Sequence, residues 1–83
     1  MEMTPKVIEA KHVKRFVIHV RFSDGIEGDV DLGEELQGEV FESLNDLNRF
    51  KQFSVHPELH TVIWPNGADF APEFLYEKVQ VPA

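Results

Sequence analysis

The sequence contains no cysteine, and this absence excludes a disulfide framework, a zinc–thiolate site and a thiol nucleophile. Small secreted domains usually depend on disulfides, so the absence favours a reducing compartment. Long apolar runs are also missing, because stretches such as Val62–Trp64 are only three residues long. The N-terminal residues include an acid and a proline where a signal peptide would be basic and then apolar. We therefore expect a cytoplasmic protein that does not associate with membranes.

Positive charge is scarce as well. The chain has 8 Lys and Arg residues against 15 Asp and Glu residues, which gives a formal net charge of −7 at pH 7. An acidic surface repels phosphate backbones, so we expect no direct contact with nucleic acid. A basic partner protein fits this charge, although acidity also serves to keep small domains soluble.

What the chain does contain is typical of one folded domain. Its 83 residues are 42% hydrophobic and include seven Phe, one Trp and one Tyr. Large aromatic side chains bury much area from few positions, which a small core requires. We predict a single domain over residues 1–83.

The clearest local signal is a β-hairpin over residues 16–32, where apolar and polar side chains alternate on both sides of Ser23-Asp24-Gly25. A two-residue loop would place the acids Glu27 and Asp29 on the apolar face, which burial forbids. A three-residue loop keeps the acids outside, and its glycine supplies the left-handed conformation that such a loop requires. The resulting pairs are Phe22 with Ile26, Val20 with Gly28, Ile18 with Val30 and Phe16 with Leu32.

The remaining elements are shorter. Residues 6–13 favour a first strand beside the hairpin, and Asp46 is a suitable N-cap for a helix over residues 47–53. Residues 54–64 have the pattern of a second hairpin, and Pro72 suits the first turn of a final helix. The sequence thus predicts an α+β domain: a small antiparallel sheet of about five strands, built around the hairpin at 16–32, with two short helices.

Several short motifs stand out: Phe22-Ser23-Asp24-Gly25, Val30-Asp31-Leu32, Leu44-Asn45-Asp46 and, most specifically, Trp64-Pro65-Asn66-Gly67-Ala68-Asp69. Together they resemble the bacterial DUF2442 family of proteins of unknown function. The resemblance extends from Pro5 to Tyr76 and implies a compact intracellular α+β domain with no established activity. Some longer family members resemble this domain joined to a helix-turn-helix module, and we do not expect their regulatory role to apply to residues 1–83. Others are encoded beside another small protein, in the manner of toxin–antitoxin pairs.

The segment Trp64–Asp69 is the first candidate site. As a recognition loop it would use Trp64 as a stacking platform and Asn66 and Asp69 as polar contacts, with Tyr76 as a further candidate. The structural alternative places Trp64 in the core, makes residues 65–67 a turn and uses Asp69 as a helix cap.

A second candidate is the row of acids Glu27, Asp29 and Asp31, which the hairpin register places on one sheet face. The same register sets Arg21 opposite Glu27 and His19 opposite Asp29, both favourable pairs. The row is either a solvated face or a docking surface for a basic protein. A homodimer formed through an exposed strand edge is a variant of the same idea.

Metal binding and catalysis have weaker support. His56 and His60 lie four residues apart, but Pro57 between them opposes the helix that would bring both onto one face. No serine stands in a recognisable nucleophile setting, so we expect neither catalysis nor a cofactor.

These observations favour a protein–protein interaction or accessory module, and the resemblance implies a setting in a two-gene toxin–antitoxin-like or regulatory pair. The alternative function is a small-ligand or metal-binding domain that uses His56, His60 and the segment Trp64–Asp69.

Overall fold

Three antiparallel strands form the larger of two sheets in a computed structural model that describes residues 5–80. The strands are β1 (Val7–Lys14), β2 (Val17–Phe22) and β3 (Glu27–Asp31), and β2 lies in the centre. β1 occupies the position predicted for the first strand, and β2 and β3 form the predicted hairpin. The α+β class is therefore confirmed.

The hairpin has the register that the three-residue loop predicts, with Ile18 opposite Val30 and His19 opposite Asp29. The amide of Gly25 donates to the carbonyl of Phe22 at 3.0 Å, and the amide of Phe22 donates to the carbonyl of Ile26 at 2.8 Å. Gly25 has φ of 92°, a left-handed value that side chains with a Cβ rarely adopt. A single glycine thus fixes which face of both strands is apolar.

One face of this sheet forms one side of the hydrophobic core. Its apolar side chains are almost completely inaccessible to solvent: Val7, Ile18, Val20, Phe22, Val30 and Leu32. Residues after β3 supply the other wall of the core, including Phe50, Trp64 and Leu75. The period-2 pattern of the hairpin is therefore explained by burial of one face only.

Short helical segments follow the sheet. A 3₁₀ turn at Gly33–Glu35 precedes α1 (Glu39–Glu42), a second 3₁₀ turn at Ser43–Asn45 and α2 (Leu47–Phe50). Asp46 caps α2 as predicted, because its carboxylate accepts a hydrogen bond from the amide of Asn48 at 2.9 Å.

The prediction for the end of α2 was wrong. The helix ends at Phe50 and not at Phe53. The next strand begins at Ser54, so the intervening residues are needed to change the direction of the chain.

The second hairpin is present but is not part of the first sheet. β4 (Ser54–Val55) and β5 (Val62–Ile63) pair with each other, so the five predicted strands are divided between two sheets. The turn between them includes His60 at φ of 56°, and the carbonyl of His60 accepts a hydrogen bond from the amide of Val7 at 3.0 Å. This bond joins the second hairpin to the start of β1.

The last helix, α3 (Pro72–Gln80), packs on the buried face of the large sheet beside β3. Proline at its first position is compatible with the helix because that residue needs no amide donor. Gly28 of β3 makes the close approach possible: a Cβ at this position would lie 3.0 Å from Cγ1 of Val79.

Aromatic rings connect these layers in a continuous series. Phe16 meets Phe50 edge to face with ring centres 5.2 Å apart, and Phe50 lies 5.7 Å from Trp64. Trp64 then meets Phe70, which stacks on Phe74 of α3. The indole Nε1–H of Trp64 donates to the carbonyl of Phe50 at 2.8 Å, so its polar atom is satisfied inside the core. Trp64 therefore links α2, β5 and α3.

Replacement of this indole tests its central position. We expect Trp64→Phe to lower the free energy of unfolding by about 2–4 kcal/mol, because it leaves a cavity and removes the donor to the Phe50 carbonyl. Leu59→Ala, at an exposed side chain, should change it by less than about 0.5 kcal/mol. Urea unfolding followed by circular dichroism measures both, and equal effects would place the indole at the surface.

Candidate functional site

The large sheet has a second face, which we call the outer face and which points away from the core. It consists of alternate residues of the three strands, with a bulge in β1 before Lys14: Glu9, Lys11, Lys14, Val17, His19, Arg21, Glu27, Asp29 and Asp31. None of these side chains is fully buried. Glu27, Asp29 and Asp31 do share this face, as the hairpin register predicts.

His19 lies at the centre of the outer face between two carboxylates. Its Nε2 is 2.8 Å from Oε1 of Glu27, and its Nδ1 is 2.8 Å from Oδ1 of Asp29. A neutral imidazole has one N–H, whereas the imidazolium ion has two, so only the charged ring can donate to both acids. These hydrogen bonds, first to Glu27 and then to Asp29, raise the pKa of His19.

The pKa of Glu27 moves in the opposite direction. The hydrogen bond from His19 lowers the pKa of Glu27, because it stabilises the ionised form. Arg21 adds a longer contact on the other side of β2, where its Nη2 lies 3.7 Å from Oε2 of Glu9. Charges of both signs therefore alternate across the three strands, and the outer face as a whole is compensated. Uniform acidity is confined to β3.

The backbone of β3 is open on the side away from β2. Ile26 and Leu32 form backbone hydrogen bonds to the strand on the β2 side. The backbone groups of the alternate residues between them, Gly28 and Val30, therefore also point toward β2. The amides and carbonyls of Glu27, Asp29 and Asp31 then point outward, and they pair with no other backbone in the described part of the chain. β3 is a regular edge strand whose outward residues are all acidic.

The opposite edge, on β1, is less regular. Its pairing with β2 is interrupted between Val7 and Glu9 and again between His12 and Lys14. The amide of Val7 is already bonded to His60. Bulges and occupied donors are features that hinder the addition of a further strand. Of the two edges, β3 is the better template for strand pairing.

The segment Trp64–Asp69 does not form the aromatic platform that one prediction proposed. Trp64 is only 2% exposed, so stacking on a ligand is excluded and the core alternative is correct for this residue. Residues 65–67 form the turn, with Gly67 at φ of 92°. Asn66 is exposed, yet its side chain accepts from the amide of Ala68 at 3.0 Å and donates to Oγ of Ser43 at 2.9 Å.

Asp69 and Tyr76 have positions that the sequence did not predict. Asp69 is exposed and forms a backbone bridge with Ile63; it does not cap α3, which begins at Pro72. The hydroxyl of Tyr76 donates to Oδ2 of Asp24 at 2.6 Å, and this bond lowers the pKa of Asp24. Tyr76 thus fastens α3 to the hairpin loop, away from the segment with which it was grouped.

The two histidines with spacing of four serve the second hairpin. Nδ1 of His56 accepts from the amides of Glu58 and Leu59, both at 3.0 Å, and so closes the turn. His60 adopts a left-handed backbone conformation in the same turn. Across residues 5–80, no three side chains of His, Asp or Glu are grouped so that they could hold a metal ion.

Two features went beyond the sequence prediction. The pairing of His19 with Asp29 was expected, but the second bond of His19, to Glu27, was not. The sequence pattern that indicates it is an acid, Glu27, two residues before Asp29, because a side chain at this diagonal position of the neighbouring strand is within reach of His19. The other is a cleft beside Asn66 that includes Arg49, where two distant segments meet.

In the described part of the chain no helix has the length and apolar character needed to cross a membrane.

Comparison with known proteins gives one match. The sequence model of a family described as "Protein of unknown function (DUF2442)" covers residues 7–80. No curated protein and no solved structure matches the chain.

The arrangement around His19 predicts a pH-dependent contribution to stability. Because the folded-state pKa of His19 is raised, the stabilisation is fully present below the unfolded-state pKa and is lost as pH rises through the folded-state value. The titration midpoint of its ring protons in NMR spectra should lie above the ordinary histidine value. It should fall more in Glu27→Gln than in Asp29→Asn, because the bond to Glu27 is the larger cause.

His19→Gln provides the control for stability. This variant should show a weaker dependence of the unfolding free energy on pH across the titration range of the ring. A midpoint for His19 that is unchanged in both carboxylate variants would contradict the two-carboxylate arrangement.

Proposed function

The chain belongs to the DUF2442 family, and we propose that it is a protein-interaction module in which the edge of β3 receives an extended, basic segment of a partner protein. The single observation behind this proposal is a regular edge strand that pairs on its outward side with no backbone of residues 5–80, and whose three outward residues, Glu27, Asp29 and Asp31, are all acidic.

Backbone geometry supports strand addition at this edge. An added strand would pair with the outward amides and carbonyls of Glu27, Asp29 and Asp31, and main-chain hydrogen bonds would supply affinity. The pairing of β3 with β2 has no bulge, so the edge keeps the regular spacing that a further strand requires.

Charge selects the occupant. Lys or Arg side chains at every second position of an added strand would face the three acids on the outer face. A second copy of β3 would instead place acids opposite acids, which is destabilising. The edge therefore favours a basic heterologous partner over self-association through β3.

His19 prepares this surface before a partner arrives. Its ring fixes the carboxylates of Glu27 and Asp29 in defined positions, which reduces the loss of side-chain freedom on binding. Asp31 is held differently, since its Oδ1 accepts from the amide of Gly33 at 2.9 Å. All three acids are thus oriented by the module itself.

We assign the module no catalytic activity and place it in the bacterial cytoplasm, which the cysteine-free sequence favours. The partner that the family resemblance implies is a small protein encoded beside it, as in toxin–antitoxin-like or regulatory pairs. A basic segment in that protein would account for the acidic edge.

The binding mode can be tested with a blocked peptide that has Lys at every second position and Val between them. We expect saturable binding that weakens at high salt, with slower hydrogen exchange of the Glu27, Asp29 and Asp31 amides. The same peptide with N-methyl groups at alternate amides keeps its charge but cannot pair, and it should lose binding. Equal binding of both peptides, or exchange that slows elsewhere, would overturn strand addition.

Matched variants test the role of charge. The triple change Glu27→Gln, Asp29→Asn, Asp31→Asn should weaken peptide binding about tenfold or more. A control with the same loss of charge, Glu58→Gln, Asp69→Asn, Glu73→Gln, changes exposed acids outside β3 and should have a much smaller effect. Similar losses in both variants would mean that net charge, and not this edge, attracts the peptide.

A further inference from the structure

A cleft of about 330 Å³ lies where the segment 43–52 meets the turn after Trp64. Its lining residues are Ser43, Leu44, Arg49, Gln52, Pro65 and Asn66. The volume is at the lower end of the range of about 300–1,000 Å³ for small-molecule pockets. None of these residues belongs to β3 or the outer face, so the cleft is separate from the proposed partner edge.

The polar groups of the cleft are mainly hydrogen-bond donors. Arg49 is exposed, and among the side chains that the structure describes no carboxylate lies within ion-pair distance of its guanidinium. Ser43 Oγ accepts from the Asn66 amide, which leaves the proton of its own hydroxyl to be donated. Gln52 adds a side-chain amide with two further N–H groups.

The walls of the cleft are held in place by the core. The indole of Trp64 is bonded to the Phe50 carbonyl, so the two segments that form the walls are joined at the residues next to Pro65 and Arg49. The hydrogen bond from Asn66 to Ser43 joins them a second time at the rim. Pro65 and Gly67 fix the intervening turn. The Ser43 hydroxyl is therefore positioned before a ligand binds, whereas the exposed Arg49 side chain can turn toward the ligand.

We propose that this cleft binds a small molecule through a carboxylate or phosphate group, with Arg49 as the charged contact and Ser43 as a neutral donor. The planar guanidinium matches two oxygens of either anion and forms hydrogen bonds stronger than those between neutral groups. Leu44 and Pro65 offer apolar contacts for the remainder of the molecule. What distinguishes Arg49 from the other cations that form no ion pair among the described side chains, such as Lys51, is its place in the lining of this cleft.

NMR titration with two probes, succinate and inorganic phosphate, tests this site and separates the two anions. We expect saturable shifts of the Ser43 and Asn66 backbone amides with at least one probe, and the tighter probe identifies the class of ligand. Arg49→Gln should weaken binding about tenfold or more, as expected for loss of a charged hydrogen bond. Lys51→Gln removes the same charge from an exposed residue outside the cleft lining and should alter affinity less than about twofold.

The outcome is decided by comparison within this set. Arg49→Gln and Lys51→Gln should have the same melting temperature, because both side chains are exposed. Equal melting temperatures would show that Arg49→Gln weakens binding without destabilising the fold. Absence of saturation with both probes up to about 20 mM would overturn the site, because such affinities are negligible for a specific pocket. Equal weakening by the two variants would overturn the assignment of Arg49.

Discussion

Burial of a single face of the three-stranded sheet is the constraint on which the structure depends. Phe50, Trp64 and the other rings that follow the sheet cover the face that carries Val20 and Phe22. The outer face must therefore be soluble through its own side chains, and it achieves this by placing charges of opposite sign next to one another. On the outer face, negative charge is left uncompensated only at the β3 edge. β3 has a neighbouring strand on one side, and its acids outnumber the cations of that strand that face them. The candidate partner edge is thus a consequence of how a small core is built.

Two turns of the same design set the geometry at both ends of the core. In each, a glycine at φ of 92° follows Asp24 or Asn66, whose side-chain oxygen accepts an amide hydrogen bond at 3.0 Å two residues later. The first turn fixes the register of β2 and β3 and hence the position of the acids. The second follows Trp64 and directs Asn66 toward Ser43, which forms the rim of the cleft. The segment Trp64–Asp69 therefore has a structural role, and this role extends to a candidate binding site.

Local patterns were sufficient for the hairpin and insufficient for the contacts between distant segments. The register at residues 16–32 was predictable because burial of the acids Glu27 and Asp29 eliminates the alternative loop. The division of five strands between two sheets was not, because local patterns do not show where the second hairpin meets β1, a contact made by Val7 and His60, which are far apart in the chain. For the same reason the sequence left open whether Trp64 is buried, since the carbonyl that accepts its N–H belongs to Phe50. Arg49 could not be recognised because the cleft exists only once Pro65 packs beside the segment 43–52.

Net charge proved a poor guide to the local surface. Five of the eight Lys and Arg residues lie between Lys6 and Arg21, where Glu9 is the only acid, so the acids are concentrated in the rest of the chain. A partner interacts with the charges within about 10 Å of its binding surface and not with the net charge of the chain, because salt screens electrostatic interactions over longer distances. The same chain can therefore present an acidic strand edge at Asp29 and an uncompensated cation at Arg49. The formal value of −7 describes solubility, whereas the charges at these two places are the ones on which the proposed partner edge and ligand cleft depend.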